Sequence, residues 1–307
     1  MDKLGDIEPK DQIIDLRDYL GVLWGKRVRI IIYSSLFALA SVVYSLVLDN
    51  YYTSESVLQV NQQEGVNPNL GQFASLGSLA GLNFGLMDSD KSAQAMALIE
   101  SRTFLKHLMD FENVLPSLMA AESYDKDNGR LIFDENFYDS ETKKWKENSV
   151  FKNDKPTYLE TYKTYSKTIY VKQLNSGFIS LKVEHLSPYF AQEFLQLIIE
   201  QVNFLMRQEE IMRTERAREY LEKQLGINQL VEVNSAISYL IENNLKKEVA
   251  ARLDEFYVLK PIEEPFVPEK KSKPYRALIS ILGTVLGFIF SCIFILVRNK
   301  IKNPIHG

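Results

Sequence analysis

Apolar positions gather in two runs that contain no charge. Ile30 to Leu48 extends for 19 residues and Ala277 to Val297 for 21. At ~1.5 Å per helical residue, each reaches across a hydrocarbon core of about 30 Å. The pattern therefore predicts two membrane-spanning helices, since a buried core helix of that length ordinarily carries some charge or amide. A cleaved signal peptide fits the first run poorly. The run is longer than the usual ~7–15 residues, residues 1–29 before it are of mixed charge, and Asp49-Asn50-Tyr51-Tyr52 after it offers no Ala-x-Ala site.

Between the runs the periodicity changes several times. Tyr52 to Val60 alternates in part and is rich in β-branched and aromatic residues, which predicts a strand leaving the membrane. Gly71 to Gly85 carries Gly77, Gly81 and Gly85 at intervals of four, compatible with close helix approach or with a mobile apolar loop. Lys91 to Asp110 has helical spacing and predicts one amphipathic helix. Residues 121–167 are polar and weakly periodic, and read as loops and a surface insertion. Thr168 to Glu184 predicts a β-hairpin turning at Asn175-Ser176-Gly177.

Ser187-Pro188 is a helix start, an N-cap followed by Pro at the first helical position. No further proline occurs before Pro261, so a long helix is expected over about 188–256, on the order of 100 Å if continuous, with a bend or break at Gly226. Ten of the seventeen residues from Arg207 to Lys223 are charged, with Glu209–Arg213 and Glu219–Lys223 in the favourable i, i+4 order. Such a helix is exposed and suited to packing against copies of itself, with Leu221 and Leu225 as apolar candidates for that contact. Pro261, Pro265, Pro268 and Pro274 then forbid helix over 259–276 and favour a stiff, extended path back to the membrane. Gly283 and Gly287 form a GxxxG pattern within the second run, a face where another helix can come close.

Composition averages these features away. A mean hydropathy of −0.16 resembles an ordinary soluble protein, yet it mixes two nearly pure apolar spans with a polar segment. Residues 49–276 hold 27 basic and 34 acidic residues, a net of −7, which argues against nucleic acid as a partner. Lys26, Arg27 and Arg29 precede the first span, and Arg298, Lys300 and Lys302 follow the second. By the positive-inside rule both termini (1–29 and 298–307) are cytoplasmic and 49–276 is translocated, to the periplasm in a Gram-negative cell. Lys270, Lys271, Lys273 and Arg276 oppose that orientation, but the rule gives little weight to long loops.

Catalytic signatures are sparse. His107, His185 and His306 are isolated, and the first two are expected to be satisfied structural residues. Cys292 lies within the second span, a poor place for a thiolate, and one cysteine builds neither a disulfide framework nor a zinc cluster. No Walker, His-Glu-x-x-His or Gly-x-Ser-x-Gly pattern occurs. Neither span contains a charge, so an ion pathway is unsupported. No enzyme activity, cofactor or metal is expected.

The layout resembles the polysaccharide co-polymerases, the Wzz chain-length determinant family. Ile14-Asp15-Leu16-Arg17-Asp18-Tyr19-Leu20 with Leu23-Trp24 and the following basic cluster resembles that family's N-terminal signature. Tyr52 to Leu58 is similar to its first strand, and Tyr220 to Leu225 and Leu240 to Lys247 to its long-helix segments. The prolines leading through Lys273-Pro274-Tyr275-Arg276 to Gly283 and Gly287 are similar to its approach to the second span. The resemblance implies an α+β periplasmic domain with a long protruding helix, anchored by two transmembrane helices and assembled as a homo-oligomeric ring. It implies control of O-antigen or lipopolysaccharide chain length together with a Wzy-type polymerase and a glycan or lipid-linked glycan. Larger relatives carry a cytoplasmic tyrosine kinase, which the ten residues after the second span do not supply. Two other classes remain open: a membrane-anchored periplasmic adaptor or scaffold of an export complex, disfavoured by the second span, and a membrane sensor, disfavoured by short cytoplasmic segments.

Overall fold

The computed structural model describes residues 21, 23–61, 91–147, 151, 155–225, 227 and 231–302. The motif at 14–20, the glycine-rich stretch at 71–85, Gly226 and His306 lie outside them. In chain order the elements are α1 (Arg27–Val47), β1 (Tyr52–Val60), α2 (Lys91–Ile99), α3 (Arg102–Leu108), α4 (Val114–Met119), β2 (Ala121–Asp125), β3 (Arg130–Phe133), β4 (Tyr138–Asp139), β5 (Lys144–Trp145), α5 (Tyr158–Thr168), β6 (Ile169–Gln173), β7 (Ile179–His185), α6 (Pro188–Leu225), α7 (Val231–Leu253), β8 (Leu259–Glu263) and α8 (Arg276–Lys302). They fall into two units, Met1–Asn50 with Lys273–Gly307, and Tyr51–Ser272.

In the second unit, β6-β7-β1-β8 form one antiparallel sheet. The expected hairpin is present: Gly177 takes φ +85°, which a residue with a Cβ resists, and lets Leu174 N–H donate to Phe178 C=O at 2.8 Å. Burial alternates strictly over the first seven residues of β1, as period-2 patterning requires of a sheet packed on one face. Leu58 of β1 and Ile179, Leu181 and Val183 of β7 enter the main core with Phe194, Leu195, Ile198 and Val202 of α6.

Three expectations change. The helix over Lys91–Asp110 is two helices, because Ser101 leaves helical geometry (ψ 149°) and its side chain accepts from Phe104 N–H as an N-cap. Residues 121–167 are more than loops and a surface insertion. They hold the β2–β3 and β4–β5 hairpins and α5, whose Tyr165 is fully buried in the main core. The start of α5 is fixed by a capping box, Thr157 with Glu160. The rod over 188–256 is α6 and α7 packed together, and its ion pairs, Arg218–Glu248 and Glu215–Arg252, run in antiparallel order. Helices of 38 and 23 residues are about 57 and 35 Å long.

In the first unit α1 and α8 pack on each other. Over Arg27–Val47 and Arg276–Asn299 they are long and apolar enough to cross a bilayer, and most of their large side chains are exposed. They slightly outrun the charge-free sequence runs.

Candidate functional site

The proline-rich segment is a strand and its continuation along β1. Leu259 and Pro261 of β8 pair with Val60 and Leu58. Pro261 is tolerated because β8 is an edge strand, where one missing N–H breaks no interior ladder. Further on, the bonds come from the hydroxyls of β1. Ser54, fully buried, donates to Phe266 C=O at 2.8 Å; Ser56, equally buried, donates to Glu263 C=O; Thr53 donates to Ser272 Oγ at 2.8 Å. Ser272 N–H in turn donates to Tyr51 C=O at 2.8 Å, so the unit begins and ends at one place. Pro268 is buried, while Pro265 and Pro261 are half-buried.

Asn203 fixes the start of that strand. It is 3% exposed within α6, and its amide donates to Ile199 C=O and Leu259 C=O, both at 2.9 Å. Its Oδ1 accepts from Val258 N–H at 2.8 Å and Leu259 N–H at 3.0 Å. One turn on, Arg207 donates to the carbonyls of Asp254 and Glu255 and so closes the C-terminal end of α7. Sequence reasoning passed over both residues; the one signal was an amide among apolar neighbours, Val202-Asn203-Phe204.

Within the first unit, Gly283 and Gly287 lie against α1. A Cβ at Gly283 would stand 2.3 Å from Cβ of Ser41, and one at Gly287 the same distance from Cβ of Phe37. Around them Tyr33 meets Phe294 edge to face at 5.8 Å, and Phe37 meets Phe290 at 6.0 Å. Arg276 opens α8 and donates to Asn50 Oδ1 at 3.3 Å, and Pro274 just before it is half-buried.

The α6–α7 hairpin is held by charge as well as packing. Glu248, 8% exposed, meets Arg218 at 3.4 Å and Arg252 at 2.9 Å, and Arg252 also meets Glu215 at 3.0 Å. The sequence pair Glu209–Arg213 gives way to Glu210–Arg213 at 2.7 Å. Leu221 is 1% exposed and Leu225 half-buried, whereas Tyr220, Leu245, Val249 and Leu253 are exposed.

Both described histidines have partners. Ser117 C=O can only accept and Ser187 N–H only donate, so His185 carries its proton on Nε2, donating at 2.8 Å, and accepts on Nδ1 at 3.1 Å. Burial pushes its pKa down to about 4, against the two backbone bonds, so the ring is neutral. His107 Nε2 bonds to Gln201 Oε1 at 2.8 Å. Among the described residues no His, Cys, Asp and Glu group could hold a metal ion.

These features define a class: an α+β unit with a long helix, bracketed in sequence by two membrane-capable helices, whose described buried polar groups bind backbone and one another. Residues 12–111 match the family model described as Wzz, chain length determinant protein. Over these residues, about a third of the chain, it is similar to that family, in line with the resemblance its motifs carry. Among solved structures it is similar to a full-length bacterial polysaccharide co-polymerase (13% identity, 95% of this chain and 100% of that one, TM-score 0.39). It is also similar to a fragment of WzzB, a polysaccharide co-polymerase from Salmonella Typhimurium (14% identity, 73% of this chain and 100% of that one, TM-score 0.29). No curated protein matches the sequence significantly.

Proposed function

We propose that the protein sets the length of an O-antigen or related lipopolysaccharide glycan as a homo-oligomeric ring in the inner membrane, working with a Wzy-type polymerase. Both termini face the cytoplasm and the unit Tyr51–Ser272 lies in the periplasm. The observation that carries this reading is the family match over 12–111, which runs from the N-terminal motif through α1, β1 and α2 to just past α3. The bond between Tyr51 and Ser272 supports it, since a unit whose ends meet suits a chain that returns to one membrane. The proline-rich segment and the two spans are the surface offered to the polymerase, and the exposed side of the hairpin is the surface offered to other copies. Deleting the gene and resolving the lipopolysaccharide on a gel tests the function. Loss of the modal length is expected, and an unchanged length distribution would sink the proposal.

A further inference from the structure

Four cations stand within seven consecutive residues at the entry to α8: Lys270, Lys271, Lys273 and Arg276. The net charge over 265–276 is +3, with Glu269 as the one acid, against −10 over 49–264. Cations at the end of a long loop weigh little in orienting a chain, so topology does not account for the cluster. Its place is set by the chain itself. Arg276 is the first residue of α8 and of the span Arg276–Asn299, so it lies where hydrocarbon gives way to headgroups. Lys273 is three residues away, at most about 10 Å along the backbone and within about one Debye length. Lys270 and Lys271 lie up to about twice as far and count for less. Ser272, among them, donates its N–H to Tyr51 C=O at 2.8 Å, which ties this stretch to the start of β1. Lys270 and Lys273 are exposed. Tyr275, between Lys273 and Arg276, is 65% exposed, an amphipathic ring of the kind that settles at headgroup depth.

The start of α8 points the same way. Its first turn holds no acidic residue and opens on a cation, the reverse of what the positive end of a helix dipole favours. Arg276 is half-buried, donates to a neutral group, Asn50 Oδ1, at 3.3 Å, and makes no ion pair among the described residues. Helix end, guanidinium and lysines thus share one sign at the depth of the lipid phosphates, where each basic residue is drawn to anionic headgroups. We propose that Lys273 and Arg276, backed by Lys270 and Lys271, bind the headgroup phosphate of an anionic bilayer lipid, phosphatidylglycerol in kind. The site needs α8 to be a span and draws on no part of the length-control reading.

The test uses the full-length protein reconstituted in phosphatidylcholine bilayers. Tyr275→Trp, with Trp24→Phe and Trp145→Phe, makes position 275 the sole indole reporter. Its quenching by brominated phosphatidylglycerol, compared with brominated phosphatidylcholine, gives the relative affinity of the lipid touching that residue. Phosphatidylglycerol should be preferred more than about tenfold, since choline offsets the same phosphate in the other lipid, and added salt should narrow the gap. Lys273→Gln and Arg276→Gln should each cut the preference about fivefold, the worth of one charge beside an anionic surface, and together bring it near parity. Lys273 is exposed, so its single variant keeps the test alive where the double variant fails to insert. Equal quenching by the two lipids, or a preference that Lys273→Gln leaves intact, overturns the site. Free glycerol phosphate that abolishes the preference overturns it as well, as does a polyprenyl diphosphate that displaces phosphatidylglycerol at far lower amounts. A gene deletion that leaves the glycan unchanged removes length control and leaves the lipid preference standing.

Discussion

Asn203 and His185 show how single polar side chains hold the α+β unit together. The four bonds of Asn203 link the middle of α6 to the backbone that becomes β8. Asn203→Leu keeps the branch at Cγ but is bulkier and strands two backbone N–H groups and the Leu259 carbonyl, so we expect a loss of about 2–4 kcal/mol, read as a lower urea midpoint with an unchanged slope. His185 governs a pH window instead. Its folded pKa of about 4 lies below the unfolded value near 6.5, so between those values the unfolded chain binds a proton that the folded chain refuses. The contribution is full above about pH 6.5 and is lost as pH falls through 4, up to about 3 kcal/mol. Structurally, a proton on Nδ1 would face the Ser187 N–H it now accepts from. Melting temperature should therefore fall from pH 7 to 4.5 in the wild type and fall less in His185→Gln; parallel curves for the two proteins would count against this.

Among the elements, legibility followed periodicity. The two apolar helices, β1 and the β6–β7 hairpin stand out because each repeats one pattern over enough residues. The break at Ser101 was hidden because the apolar spacing runs straight through it, and only the N-cap geometry ends the helix. The β4 and β5 strands are two residues each, too short to show a period. Nor could spacing reveal that Ser54 and Ser56 face carbonyls of a segment some two hundred positions away. The glycines of α8 could be read as a close-packing face but not with a partner, which is α1. Gly283→Ala should force α1 and α8 apart and cost about 1–3 kcal/mol, because backbone and Ser41 must both give way. Ser41→Gly removes the side chain in the way, so the double variant should recover part of the loss in a detergent thermal melt. Equal losses in the single and double variants would place the defect elsewhere.

At the scale of the whole molecule, the hairpin divides the apolar residues of α6 and α7 into two sets. Leu221 and Ile237, 1% and 2% exposed, serve the fold of one chain. Leu245, Val249 and Leu253 follow one another at intervals of four along α7 and are 46%, 45% and 78% exposed. That spacing puts them in one stripe, whereas Ile237, Glu248 and Ala251 are the buried positions of the same helix. A stripe left exposed among the described residues is where assembly should be sensitive. Val249→Asp should therefore shift the detergent-solubilised protein to smaller species by light scattering while its far-UV spectrum and melting temperature hold. Leu221→Asp should instead lower the melting temperature, because it places a charge where Leu221 is buried, and any change in size should follow from unfolding. If Val249→Asp leaves the assembly at its original size, the α7 stripe is not the contact between copies, and the exposed positions of α6, Met212 and Tyr220, become the surface to change next.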